Sequence, residues 1–329
     1  MFKYILKRIG ISLLILLGVS FILYALLRCM PTDFVESKII ALNTSGTDVS
    51  QEFIDQLYKT YGLDGNIVQG YLNWIKNVAQ FDFGRSFISQ RTVLSEIFSA
   101  DRIGTSFLVA AIATVFEFLI AIPLGITAAT HQYSLRDYVV TVLVLVGISL
   151  PSFFFGQMLK DLFANKLGWF PVSGIRDPSF TPANDWEAMT DYLHHMFLPI
   201  LTVVILSIGG RMRMTRTNML EVLNSDYIRT ARAKGLKEGK VIYKHAFRNT
   251  MIPLVTGLAG LIPSLFSGAM ITEQVFDLTG IGNYALRAMT QGDIPVIMTY
   301  NMFLAVLSVT GVLLADLMYA VVDPRVKLA

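Results

Sequence analysis

The chain runs to 329 residues, 53% hydrophobic and 16% charged, with a formal net charge of +3 and a mean hydropathy of +0.55. That is too apolar for a soluble domain of this length, and so small a positive excess requires no nucleic-acid partner. The single cysteine, Cys29, excludes an intrachain disulfide and a thiolate metal cluster, so no metal site is expected.

A helix rises about 1.5 Å per residue, so roughly 20 apolar residues cross about 30 Å of hydrocarbon. Six stretches qualify, and each is expected to be a helix because lipid cannot pair backbone polar groups. The first, Ile9 to Leu27, follows Lys3, Lys7 and Arg8; no small-x-small cleavage site comes after it, so it reads as an uncleaved span, not a signal peptide. The second is Thr105 to Thr130, with Glu117 as its only charge, and the third is Tyr138 to Met158. The fourth is the weakest: Met196 to Gly210 is short and reaches spanning length only by taking in Tyr192, His194 and His195. The fifth is Thr250 to Thr272, and the sixth Ile294 to Ala315 with an extension to Val322. These limits divide the chain into 1–28 (N-terminus and first span), 29–104, a core at 105–322 with five spans, and a tail at 323–329. Within the core, 211–249 is a charged loop.

Between the first two spans, Phe53, Ile54, Leu57, Tyr58 and Tyr61 recur at helical spacing, as do Tyr71, Trp74, Ile75 and Val78. Two amphipathic helices in a small subdomain outside the membrane are expected, packed on each other and on the bilayer surface or offering a face to a partner. The stretch Leu159 to Asp191, rich in Pro, Gly and Asp, reads as an irregular loop. GIGNYA, between Glu273 and Asp293, superficially fits a phosphate-binding glycine pattern. No buried strand precedes it, and that reading is rejected.

Lysine and arginine in the flanks set the orientation. With the N-terminus inside, the inner segments carry three, one, ten and two such residues, against three and one in the short outer segments. Both termini and the stretch DYIRTARAKGLKEGKVIYKHAFRNTMIP, Asp226 to Pro253, are therefore expected on the cytoplasmic side. In that stretch Ser225 or Asp226 can cap a helix, Tyr227 to Lys234 holds good helix formers, and Gly235 suits the left-handed position beyond a C-terminus. A helix of about two turns is expected, then a sharp bend, then a second helix from Lys237 through Asn249. Ala231 and Ala233 leave the first helix slim, while Arg229, Arg232 and Lys234 ring it with charge, a shape suited to a groove on another subunit. So short a helix is marginal in water without something to pack against.

DYIRTARAKGL resembles the cytoplasmic loop of ABC-importer permeases, in the form found in the dipeptide and oligopeptide permease family. FDFGRSF (Phe81 to Phe87), SLPSFFFG (Ser149 to Gly156), LGWFPVSG (Leu167 to Gly174), LTGIGNYALRAMTQGDIPVI (Leu278 to Ile297) and DPRVK (Asp323 to Lys327) are similar to the first permease subunit of such importers. The resemblance implies an all-α integral membrane fold with six transmembrane helices, of the type I ABC importer permease kind, in a prokaryotic cytoplasmic membrane. It implies that Asp226, Tyr227, Arg229, Thr230, Ala231, Arg232, Ala233, Lys234, Gly235 and Leu236 form the ATPase-coupling loop. The implied partners are a second permease subunit, two cytoplasmic ATPases that bind ATP and Mg, an extracytoplasmic solute-binding protein and a peptide substrate. The chain itself needs no cofactor. GLKEGK lacks phosphate-loop spacing, so this sequence offers no ATPase motif and no enzyme activity is expected.

Glu117, near the middle of a span, costs about 2.5–3.5 kcal/mol there unless it faces protein or water. It reads as a pathway residue meeting a peptide amino group, or as a structural carboxyl. Asp316 is expected to pair with a basic residue of the cytoplasmic loop. Adjacent His194 and His195 point to different sides of a helix and make a poor metal site. The alternative functions are a secondary transporter driven by an ion gradient, which would need paired midplane charges, and an importer of the same family carrying nickel chelates, glutathione or sugars.

Overall fold

The computed structural model describes residues 2–29, 35–36, 38–40, 50–60, 63, 65–251, 260–267 and 269–322. Among them the chain is helical, with no strand beyond an isolated antiparallel bridge between Arg85 and Thr92. The helices are α1 (Phe2–Arg28), α2 (Gln51–Thr60), α3 (Ile67–Val78), α4 (Val93–Ile97), α5 (Ala100–Thr130), α6 (Leu135–Ser149) and α7 (Ser152–Leu159). They continue with α8 (Asp185–Leu223), α9 (Asp226–Ala233), α10 (Glu238–Lys240), α11 (Leu261–Ser267), α12 (Met270–Val275), α13 (Ile281–Gln291) and α14 (Ile294–Val322). Four of these hold segments long and apolar enough to cross a membrane: Lys7–Arg28, Ala100–Thr130, Asp185–Leu223 and Ile294–Leu314.

The fourth expected span proves to be part of the longest helix. Asn184 accepts from the Glu187 backbone while Glu187 reaches back to the N–H of Ala183, which fixes the start of α8 well before its apolar run. From there α8 continues for 39 residues, so Arg211, Arg213 and Arg216 are helical residues and not the beginning of a loop. The third expected span is broken. Leu150 and Pro151 adopt extended backbone between α6 and α7, as the residue before a proline prefers, and α7 passes into a π-helical turn at Lys160–Lys166. Much of the fifth, including Pro253, and the DPRVK motif lie outside the described residues, as does the side chain of Asp316.

The core is built on α5 and α8, whose contact is the most extensive between any two helices described. Along α5 the buried residues Ala113, Glu117, Ala121 and Gly125 recur every fourth position. This stripe of mostly small residues lets the backbones approach: a Cβ on Gly125 would lie 2.8 Å from the Met212 carbonyl oxygen and 2.7 Å from Thr215 Cβ. On the other side α14 packs against α1, α11 and α13. The amphipathic α3 turns its aromatic face to α1, where the Tyr71 hydroxyl lies 2.9 Å from Ser20 Oγ and donates to the Leu17 carbonyl. Its packing partners therefore include the middle of α1 as well as Leu57 and Tyr58 of α2.

Candidate functional site

At the Leu223 end of α8 the chain turns through Asn224 and Ser225 into α9. Ser225 makes no side-chain cap. Its hydroxyl donates instead to the Val222 carbonyl, closing the preceding turn. The far end of α9 is closed by two backbone bonds, Gly235 N–H to Arg232 C=O and Leu236 N–H to Ala231 C=O, which demand a left-handed residue at the turn. Gly235 supplies it with a φ of 73°.

One face of α9 is spent on its own subunit. Ile228 and Ala231 are buried in a cluster with Ile126 and Ala129 of α5, Met219 of α8, and Val241 and Ala246 of the π-helical segment Val241–Phe247. Leu236 packs on the same cluster. The slimness at Ala231 therefore serves close packing within the chain, contrary to the expectation that it suits a groove on another subunit. The opposite face leaves Asp226, Tyr227, Arg229, Thr230, Ala233 and Lys234 exposed. Arg232 is tied to Glu238 by contacts of 2.7 and 3.2 Å, and this bond holds the Glu238 carboxyl below the usual glutamate range. Full burial of Ile228 contributes about 1.5–3 kcal/mol, against about 0–1 for an exposed ion pair, so packing and not charge anchors α9.

Glu117 lies nine residues, roughly 14 Å by helical rise, along α5 from Ile126. Its Oε1 accepts from Arg211 Nε at 3.0 Å, and the Arg211 guanidinium also sits 4.6 Å from the Phe118 ring. A second pair ties α6 to α8: Arg216 donates twice to Asp137, at 2.9 and 2.8 Å, and the Tyr133 N–H adds a third bond to that carboxylate. Sequence alone reads both arginines as part of the charged loop, which hides them as partners. The four-residue stripe containing Glu117 is the signal that it faces another helix.

At the opposite end the family-like motifs meet one another. Glu273 is fully buried, and its carboxylate accepts from Ser106 Oγ at 2.7 Å and from the Asn283 N–H at 2.8 Å. Burial pushes the carboxyl above the ordinary glutamate value, opposed by those hydrogen bonds. GIGNYA thus does cradle an acidic group at the start of α13, and that group is the chain's own Glu273. A Cβ on Gly280 would fall 2.2 Å from Glu273 Oε2, which is why glycine stands there. Asp293, also buried, accepts from Ser86 Oγ and the Phe87 N–H, locking FDFGRSF onto the segment between α13 and α14. LGWFPVSG joins through Gly174 N–H to the Phe276 carbonyl. His194 contacts the Trp169 carbonyl and His195 contacts Asp191, so the two imidazoles serve separate partners with ring planes 81° apart.

The family described as "Binding-protein-dependent transport system inner membrane component" matches residues 121–328, and its N-terminal companion matches residues 1–114. The chain is 36% identical over 327 residues to the oligopeptide transport system permease protein AppB of Bacillus subtilis, covering 99% of this chain and 100% of that one. It is 31% identical to the dipeptide transport system permease protein DppB of Alkalihalophilus pseudofirmus, covering 99% and 100% respectively. A structure of the MetNI methionine ABC transporter in inward-facing conformations matches with a TM-score of 0.51 at 14% identity, over 67% of this chain and 94% of that one. That likeness speaks to the fold alone, and the fold is that of an ABC importer permease. The chain is a multi-pass membrane protein that belongs to the binding-protein-dependent transport system inner membrane component family.

Proposed function

We propose that this chain is a permease subunit of an ATP-driven importer of di- or oligopeptides, supplying half of a translocation pathway, and that α9 receives the motion of a cytoplasmic ATPase. The observation that carries the reading is the anchoring of α9: its inner face is fused by Ile228 and Ala231 to α5 and α8, while its outer face is exposed. Force on the outer face moves the two helices that also hold the Glu117 and Arg211 pair. The peptide substrate is supported by the names of the full-length relatives. In this reading both termini are cytoplasmic, α6 with α7 and the segment Thr250 to Thr272 supply the remaining two of six crossings, and 29–104 is extracytoplasmic. The partners are a second permease subunit, two ATPases carrying ATP and Mg, and a solute-binding protein. The Arg211 partner favours a structural role for Glu117 over contact with solute.

A cysteine at exposed Thr230, in a Cys29→Ser background, is expected to cross-link to the ATPase of the assembled complex in a nucleotide-dependent way. Absence of any such product in a transport-competent complex overturns the coupling role. Peptide uptake into vesicles is expected to stop with a non-hydrolysable ATP analogue; undiminished uptake would instead favour an ion gradient.

A further inference from the structure

The break between α6 and α7 lies at hydrocarbon depth. A Cβ on Gly147 of α6 would sit 3.3 Å from the Ile205 carbonyl oxygen, and one on Gly156 of α7 would sit 3.6 Å from Thr202 Cγ2. Leu150 and Pro151, between those glycines, are therefore level with the centre of the apolar run Met196 to Gly210, inside the candidate span of α8. Their extended backbone leaves polar groups open. The N–H groups of Ser152, Phe153 and Phe154 begin α7 and have no acceptor within the helix, and Pro151 before them offers no side-chain cap. Ser149 spends its hydroxyl on the Leu145 carbonyl of α6. Ser149 and Pro151 are both exposed. Lipid pairs none of these groups, so irregular backbone at this depth must either be covered by protein or line water.

The side chains around the break decide between those two. Phe153 and Phe154 are 58% and 50% exposed, Leu145 of α6 is 50% exposed and Ile271 of α12 is 43% exposed. Water covers such a surface only at a cost, which favours protein. Beside it, between α7, α8 and α12, runs a groove of about 320 Å³. Ser152, Ser207 and Thr272 line this groove together with Val203, Leu206 and Met270. Small and hydroxyl-bearing positions of this kind admit the close approach of a second membrane helix.

We infer that this face of α7, with the groove beside it, seats a transmembrane helix of the second permease subunit. Hydroxyl or carbonyl acceptors on that helix pair the open N–H groups of Ser152 to Phe154, while its apolar side chains cover the two phenylalanines. A protein surface meets both demands at once, whereas lipid lacks the acceptors and water leaves the aromatic rings exposed. The inference rests on the permease reading proposed above and not on which solute is carried.

The test uses the assembled complex in lipid nanodiscs, with Phe153→p-benzoylphenylalanine as a photo-reactive probe close in shape to the residue it replaces. Irradiation is expected to give an adduct with the second permease subunit, identified by peptide mass, and Ile271→p-benzoylphenylalanine is expected to give the same partner. In a Cys29→Ser background, Phe153→Cys is expected to react with a membrane-impermeant maleimide at least about tenfold more slowly than Thr230→Cys, which is exposed on α9. Adducts with lipid alone, or with a second copy of this chain, overturn the interface. Equally fast reaction of the two cysteines also overturns it, because the break would then line a watery passage. Should the Phe153 variants fail to assemble, the Ile271 adduct alone decides. ATP-dependent peptide uptake by a complex that gives no such adduct removes the interface and leaves the transport function standing. A transport-competent complex with no second permease subunit removes both.

Discussion

Two contrasting ways of holding a carboxylate are found at the two ends of the α5 and α8 pair. At the α9 end, Glu238 is half exposed and meets an arginine across a surface turn. At the other end, Glu273 and Asp293 are buried and are held by hydroxyls and backbone N–H groups, with no basic partner in those bonds. A surface ion pair tolerates small displacements and is screened by water, whereas a backbone cradle works only in one geometry. The α9 end is therefore held by apolar packing and keeps a polar face exposed, while the opposite end is fixed by its polar bonds.

The sharpest way to break this contrast is to add a side chain to the cradle. Gly280→Val is expected to cost on the order of 3 kcal/mol or more, because the new carbon would meet the Glu273 carboxylate and Ser106 Oγ. Thermal unfolding in detergent measures it, and a wild-type midpoint would refute the cradle. Asp293→Ala strands the donors of Ser86 and Phe87 and is expected to cost about 1–3 kcal/mol. Faster proteolysis around Phe87 is the accompanying sign.

Gly235 sharpens the comparison from the other end. A Cβ there meets open space, so the penalty of Gly235→Val is conformational only, about 1–3 kcal/mol for a left-handed β-branched residue. Peptide uptake is expected to fall well below that of Lys237→Ala at equal membrane levels, and Gly235→Asn, which tolerates this backbone, is expected to retain more. Equal uptake by Gly235→Val and the wild type would remove Gly235 from the coupling scheme.

The smallest effects separate the two carboxylates by pH. Glu238 has a lowered value in the folded state, so its contribution is present above the ordinary glutamate value and is lost as pH falls through the lowered one. Glu238→Gln is expected to cost about 0–1 kcal/mol near neutrality and nothing in acid. Glu273 has a raised value, so its ionisation opposes folding, and stability is lost as pH rises from the ordinary glutamate value through the raised one. Melting curves of Glu273→Gln are expected to lack that decline; an identical pH slope in variant and wild type would contradict it.

Much of the helical architecture is legible directly, because a run of apolar residues is a local property of the chain. The runs beginning near Ile9, Thr105 and Ile294 each fall within a long helix. The Gly235 turn is equally legible, since a left-handed residue after a helix is a local demand. Charge misleads where burial is decided from a distance. Arg211 and Arg216 look like loop residues until their acids, 94 and 79 positions away, are brought beside them. The same holds for Ala231, whose small size suits an outward or an inward face, and only the cluster around Met219 chooses between them.

Composition and periodicity by themselves determined that this protein lives in a bilayer, where most of its long helices run, and which short helix ends in a glycine. Those features follow from backbone hydrogen bonding and hydropathy, which act over neighbouring residues. Tertiary structure alone decided what each buried polar group faces: Glu117 meets Arg211, Glu273 meets the start of α13, and Arg28 meets backbone carbonyls and no acid among the described residues. The physical reason is that the cost of burying a charge is set by the atoms around it, and those atoms are brought from distant parts of the chain by packing.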